Sequence, residues 1–169
     1  MRIFGVDPGP KQSGWCYMDL GSDWVSELKF GHSWNRVMLT HQSQFGESQG
    51  SAMTLAYEWV KNYGRVVGED VLRTAYTCGR IRELGSQGGE YHEVTRPDVI
   101  KHFTGRTNLP KSEVRKELLD RFGGAESKKK GGILAGISNH AWDALAVCIY
   151  VCEDIYDYAE NYWRSRCQF

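Results

Sequence analysis

The sequence predicts an α/β domain built on a mixed sheet, and three stretches predict it. Residues 1–9 place a continuous apolar run, Ile3, Phe4 and Val6, ahead of one carboxylate, Asp7, and a Pro8-Gly9 stop. That is the pattern of a strand buried on both faces and ended by residues that cannot continue a ladder. Residues 13–19 and 24–30, with a turn at 20–23, read as two further strands and extend the first into an antiparallel meander. Ala52, Leu55, Ala56, Trp59, Val60 and Tyr63 then recur at helical spacing up to Gly64, and residues 65–71 follow as a short strand. A strand, a crossing helix and a strand form a right-handed unit, so this later strand is expected to run parallel to the first.

The remaining elements follow in order. Residues 33–50 are polar and aperiodic and read as a long connection. A helix is expected at 73–84, ended by the glycine-rich linker 85–89, and residues 91–94 are the fifth strand. Thr95-Arg-Pro-Asp98 has the form of a helix start, with Pro in the first turn, and Gly105 ends that helix. Ser112 can cap another, whose apolar side is Val114, Leu118, Leu119 and Phe122 and whose stop is Gly123-Gly124. The lysine run 128–130, flanked by glycines, marks 125–137 as a mobile loop. The last helix begins near Asn139 and carries a wide apolar stripe that includes Cys148 and Cys152, which are expected to pack on the sheet. The aromatic tail, with Tyr156, Tyr158, Tyr162 and Trp163, is expected to cover the domain or a second subunit.

A chain of 169 residues fits one domain, 1–169, with a core that needs no disulfide or structural metal. Five cysteines without a Cys-x-x-Cys pair provide neither a disulfide framework nor a zinc ribbon and favour a reducing compartment. No apolar run approaches the length needed to cross a bilayer, and the N-terminus lacks a signal-peptide pattern, so a cytoplasmic protein without membrane association is expected. Basic and acidic residues balance at 21 each, which argues mildly against a nucleic-acid binder. Charge is nevertheless uneven: Lys128, Lys129 and Lys130 are contiguous, and Lys101, His102, Arg106, Lys111, Arg115 and Lys116 cluster upstream. Carboxylates reserved for a metal would lower net charge without opposing phosphate binding.

Asp7 ends a central strand, and Glu69, with Asp70 beside it, is expected at the end of a parallel neighbour, on the sheet edge where ligand sites of open α/β sheets collect. His140 and Asp143 are three apart in the first turn of the last helix and share one face. Each also has a purely structural use: Asp7 can cap its turn, Glu69 or Asp70 can pair with Arg73, and His140 and Asp143 can serve the helix start. Three carboxylates at one core edge are costly without a cation. Their hard oxygens, with one imidazole, suit magnesium or manganese, and two such ions about 3.5–4 Å apart can promote phosphodiester hydrolysis.

Phe4-Gly-Val-Asp-Pro-Gly9, Gly68-Glu69, Thr104-Gly with Lys111-Ser, and His140-Ala-Trp-Asp-Ala-Leu-Ala-Val147 together resemble the RuvC-type crossover junction endodeoxyribonucleases, in order through almost the whole chain. The resemblance implies an RNase H-like fold, a five-stranded mixed sheet flanked by helices, and a homodimer that cuts four-way (Holliday) and other branched DNA. It implies Asp7, Glu69, His140 and Asp143 as catalytic and metal-binding residues for two Mg2+ ions, which Mn2+ can replace. The family's third position accepts Asp or His. Lys101 and Lys111 match its basic positions near the cut phosphate, their alternative being solvated helix-end lysines; Lys128, Lys129 and Lys130 are further candidate DNA contacts. The basic loop, the 33–50 insertion and the aromatic tail match no family element, which suits a divergent, phage-type member. Tyr76 is a candidate for the family's aromatic wedge, against a plain helix-surface tyrosine. Three rivals stand beside this reading: a ribonuclease H acting on RNA/DNA hybrids, an actin-like nucleotide-binding domain, and a catalytically silent branched-DNA-binding module.

Overall fold

The computed structural model describes residues 1–21, 25–38, 53–62, 64, 66–88 and 90–156. Five strands, β1 (Arg2–Asp7), β2 (Gln12–Leu20), β3 (Val25–Trp34), β4 (Met53–Glu58) and β5 (Tyr91–Val94), form one sheet in the order β3-β2-β1-β4-β5. β1 and β3 pair antiparallel with β2, as the meander predicts, while β4 runs parallel to both β1 and β5. Helices α1 (Glu69–Gly88), α2 (Arg96–Thr104), α3 (Lys111–Arg121) and α4 (Asn139–Tyr150) flank the sheet. A mixed five-stranded sheet with helices on its faces is the expected architecture.

Strand alternation divides the core. Ile3, Cys16, Met18 and Ala56 pack with the apolar sides of α2, α3 and α4, whereas Phe4, Val6, Leu55 and Tyr57 pack with Met38 and with Cys78 and Ile81 of α1. The sheet is therefore covered on both faces, and β1 is buried along its whole length. Cys148 and Cys152 are buried on the α4 side, in keeping with their spacing.

Two expected elements are overturned. The helix expected between residues 51 and 63 is instead strand β4, because Leu55 and Tyr57 serve one face and Thr54 and Ala56 the other. The strand expected at 65–71 does not form; residues 66–68 have no regular structure and α1 begins at Glu69. Glu69 and Asp70 lie in the first turn of α1, where acids complement the helix dipole. The linker expected at 85–89 is also shortened, since α1 continues through Gly85. A Cβ at Gly85 would come within 3.0 Å of side-chain atoms of both Leu55 and Tyr91, so glycine there lets α1 lie close on the sheet.

The loop at 125–137 is tied down. A 3-10 turn (Gly124–Lys128) is followed by backbone bonds from Gly132 N to Lys129 O (2.8 Å) and Leu134 N to Ser127 O (2.8 Å), and Leu134 is fully buried. Helix α2 starts where expected, but Thr95 makes no side-chain capping bond and its hydroxyl donates to the Asp98 carboxylate instead; Gly105, in the left-handed region at φ 73°, closes the helix. For α3 the N-cap is Pro110, two residues earlier than the expected Ser112. Of the aromatic tail, Tyr156 packs on the β4–β5 edge, its hydroxyl donating to Glu90 and lying 3.1 Å from the Thr54 hydroxyl; Tyr158, Tyr162 and Trp163 lie outside the described residues, as do residues 39–50 of the connection expected at 33–50, whose first residues instead complete β3 and form a helical turn at 35–38. Among the described residues, no helix is long and apolar enough to cross a membrane.

Candidate active site

Alternation along β1 sends Ile3, Gly5 and Asp7 toward α4, and along β4 it sends Thr54, Ala56 and Glu58 the same way. Val6 pairs with Tyr57 in the parallel register, and Asp7 and Glu58 follow one residue later on the two strands. Both carboxylates therefore leave the sheet at one edge and on one face. Asp7 is buried and Glu58 nearly so.

The first turn of α4 closes over that edge. Glycines at two contact points permit it: a Cβ on Gly14 would overlap the His140 carbonyl and lie 2.7 Å from the His140 Cβ, and a Cβ on Gly5 would lie 2.6 Å from the Ala144 carbonyl oxygen. Gly14 is the partner of Asp7 in the β1–β2 ladder, so the absent side chain is what admits His140 beside Asp7. Gly14→Ala is expected to destabilise the fold by about 1–3 kcal/mol through overpacking. Thermal melts of the variant read that loss.

His140 Nδ1 lies 3.0 Å from Asp7 Oδ2. That bond raises the His140 pKa above its ordinary value, against burial, which would lower it; the Asp7 and Asp143 charges add to the rise and Lys111 opposes it. Asp7, His140 and Asp143 each offer a ligand atom, and the three atoms all lie within 4.8 Å of one another. Lys111 Nζ donates to Asp143 Oδ2 at 2.5 Å, with Arg115 Nη2 3.8 Å from the same oxygen. Glu58 faces Arg96, whose Nη2 and Nε stand 2.9 and 3.0 Å from Glu58 Oε1. Burial pushes the Glu58 pKa above the ordinary carboxylate value; Arg96 pulls the other way, Asp7 adds to the rise and Lys111 lowers it. Two carboxylates and one imidazole nitrogen, from Asp7, Asp143 and His140, make a set that fits a hard divalent cation, and Glu58, paired with Arg96, lines the cleft beside them.

Glu69 does not share this edge. Its side chain is 75% exposed against 16% for Glu58, and it pairs with Arg73 one helical turn on, at 2.5 Å. The acid near the end of the parallel neighbour is Glu58, displaced from Glu69 because the neighbour itself is residues 53–58. Lys111 reaches the site, whereas Lys101 is exposed on α2 and is absent from the lining of the cleft between Glu58 and Asp143. Of the lysine run, Lys128 Nζ lies 5.8 Å from the centre of the Trp142 ring, Lys129 pairs with Glu126 at 2.6 Å, and Lys130 is exposed. Tyr76 is an exposed residue of α1 and lines a separate groove.

No protein-family model matches this sequence. No curated protein matches it either. Among solved structures, RuvC of Thermus thermophilus superimposes with a TM-score of 0.62 at 14% identity, over 91% of this chain and 97% of that one. This chain has the RuvC-type fold. RuvC of the same organism in complex with Holliday junction substrate matches with a TM-score of 0.58 at 16% identity, over 87% of this chain and 90% of that one.

Within this RuvC-type fold, sequence reasoning overlooked Glu58, Arg96 and Arg115 as site residues. Glu58 had a readable signal, as the acid that ends a six-residue run of strand composition. Arg96 and Arg115 had none, because each is brought to its carboxylate only by the packing of α2 and α3 against the sheet and α4.

Proposed function

We propose that this chain is a divalent-metal-dependent, structure-selective endonuclease that hydrolyses phosphodiesters in four-way and other branched DNA, acting as a homodimer. The observation that carries this reading is the convergence of Asp7, His140 and Asp143 at one edge of the sheet, with Glu58 in the adjoining cleft, on the RuvC-type fold. Asp7, Glu58, Asp143 and His140 would hold the metal, with Mg2+ the expected ion and Mn2+ a substitute. When bound, such ions supply Lewis acidity and a more acidic water.

The chain's own residues account for the rest. With its Nδ1 bonded to Asp7, the His140 ring is fixed in orientation, and Nε2 is the nitrogen left, either to ligate the metal or to orient the attacking water. Lys111 and Arg115 bring positive charge to the Asp143 side of the cleft, where it can stabilise charge developing on the phosphate. Attack in line on phosphorus breaks the bond to the 3'-oxygen and leaves a 5'-phosphate and a 3'-hydroxyl. Junction recognition through phosphates and shape makes binding fall steeply with salt.

The test is a nicking assay with magnesium on labelled four-way junction, Y-fork, linear duplex and RNA/DNA hybrid, using wild type and Asp7→Asn. Paired cuts at the branch point, lost in Asp7→Asn while junction binding persists, are the expected result. Cutting of the hybrid alone would transfer the chain to the ribonuclease H class, and binding without cutting would make it a binding module.

A further inference from the structure

Each carboxylate at this edge of the sheet meets a nitrogen of the chain itself. Asp7 meets His140 at 3.0 Å, Asp143 meets Lys111 at 2.5 Å, and Glu58 meets Arg96 at 2.9 Å. His140 and Lys111 already have a part in the chemistry, whereas Arg96 has none. Asp7, His140 and Asp143 bring ligand atoms within 4.8 Å of one another, and among the described residues Glu58, paired with Arg96, stands outside that set.

The backbone fixes where Arg96 starts. Glu58 is level with Val94 in the parallel β4–β5 ladder, Trp59 N donates to Val94 O at 2.7 Å, and Arg96, two residues on, is the first residue of α2. Its side chain therefore rises beside Glu58, with Nε and Nη2 both directed at Oε1. The two ends of the pair differ in exposure. Glu58 is 16% exposed and Arg96 is 45% exposed, so the carboxylate lies inside the cleft and the guanidinium at its mouth.

The pair also divides the site. Glu58 and Arg96 line a space of about 210 Å³ on the Asp7 side and a second space, shared with Lys111, on the Asp143 side. The second holds about 20 Å³, room for one water. A magnesium ion keeps several of its waters, so Glu58 and Asp143 cannot share one while the side chains of Arg96 and Lys111 fill the cleft. Arg96 has a second use for its planar fork. A guanidinium binds phosphate in the same two-point manner as it binds carboxylate, and a DNA phosphate arriving at the mouth meets Arg96 before Glu58.

We propose that Arg96 is a substrate-phosphate residue that Glu58 holds in reserve. DNA takes the guanidinium, and Glu58, left beside Asp7 without its counter-charge, is released to join Asp7, His140 and Asp143 around a divalent cation. The inference rests on the nuclease reading and adds a regulation of the same site, which completes its ligand set only on DNA. Such coupling is reciprocal, so the cation tightens DNA binding by the factor by which DNA tightens the cation.

The test measures Mn2+ binding to the full chain by the EPR signal of the free ion, with and without a four-way junction kept intact by phosphorothioate links at the crossover. Without DNA, Arg96→Gln is expected to bind Mn2+ about ten-fold tighter than wild type, and the junction should tighten Mn2+ binding in wild type by a factor about ten-fold larger than in the variant. The effect must pass through Glu58. In a Glu58→Gln background, Arg96→Gln should change Mn2+ affinity by less than about two-fold. In EDTA, Arg96→Gln should flatten the dependence of log Kd for the junction on log salt by about one phosphate contact. Wild type supplies a further readout: the Arg96 Nε–H NMR signal, assigned by its absence in Arg96→Lys, should move when the junction is added in EDTA. An Arg96→Gln that leaves DNA-free Mn2+ affinity unchanged, or raises it equally in the Glu58→Gln background, overturns the proposal and leaves the pair a staple between β4 and α2. An Arg96 signal that does not move overturns it as well. Coupling without nicking of an unmodified junction in magnesium upholds the reserve role of Arg96 and sinks the nuclease reading. Nicking without the coupling does the reverse.

Discussion

Glu58→Gln is expected to lower junction cleavage on the order of 10³-fold, whereas Glu69→Gln changes it by less than about three-fold. Glu58 is nearly buried, shares its face of the sheet with Asp7 and holds a charge that burial and Asp7 both oppose. A carboxylate kept there against such opposition is useful if a cation is to be held between the strands, and an amide of the same shape removes the charge with little change in packing. Glu69 sits in solvent with Arg73, and an exposed pair of this kind contributes at most about 1 kcal/mol to stability. Single-turnover nicking with magnesium measures the first effect. A magnesium titration of the melting temperature supplies a second readout, since an ion at 100 times its Kd stabilises the folded state by about 2.7 kcal/mol. That shift should shrink in Glu58→Gln and persist in Glu69→Gln. If Glu69→Gln abolishes cleavage and Glu58→Gln does not, the second acid comes from α1 and the strand-end assignment is wrong.

The exchange of these two glutamates shows where the sequence was legible and where it was not. Asp7 could be placed because Pro8-Gly9 ends the strand unambiguously, and the His140-Asp143 pair because a long apolar stripe follows it in helical register. Residues 53–58 resisted. A strand buried on both faces is a continuous apolar run, and Leu55, Ala56, Trp59 and Val60 satisfy the spacing of a helix as well as that of such a strand. With residues 51–63 read as a helix, the next acid downstream, Glu69, inherits the strand end. The cations that answer the carboxylates were hidden for a different reason. Arg96 stands 38 residues from Glu58, and Lys111 stands 32 from Asp143. Such pairings are properties of packing, with no local pattern to betray them.

Arg121→Met is expected to destabilise the fold by about 3–5 kcal/mol, the largest stability loss foreseen for a residue away from the candidate active site. Arg121 and Glu153 are each only 4% exposed, and Arg121 Nη1 donates to both Glu153 oxygens at 2.5 and 2.6 Å. Its Nε donates to Glu117 at 3.2 Å, and its guanidinium lies 4.8 Å from the centre of the Phe103 ring. His102 Nε2 is 2.6 Å from Glu153 and its Nδ1 is 3.9 Å from Asp154. Removing Arg121 leaves Glu153 buried with His102 as its remaining close partner, whereas Arg121→Met combined with Glu153→Leu removes both charges and should recover most of the loss. The pH dependence follows from Glu153. Burial pushes its pKa up, but the hydrogen bonds from His102 and Arg121 outweigh burial and hold it below the ordinary value. A carboxyl with a depressed folded-state pKa stabilises the fold fully above its unfolded value of about 4.3, and that contribution is lost as pH falls through the folded value. The gap between wild type and Arg121→Met in urea titrations should therefore be widest near neutrality and close on acidification. A gap that stays constant from neutrality down through the carboxylate range would mean that Arg121 acts through its packing on Phe103 rather than through its charge.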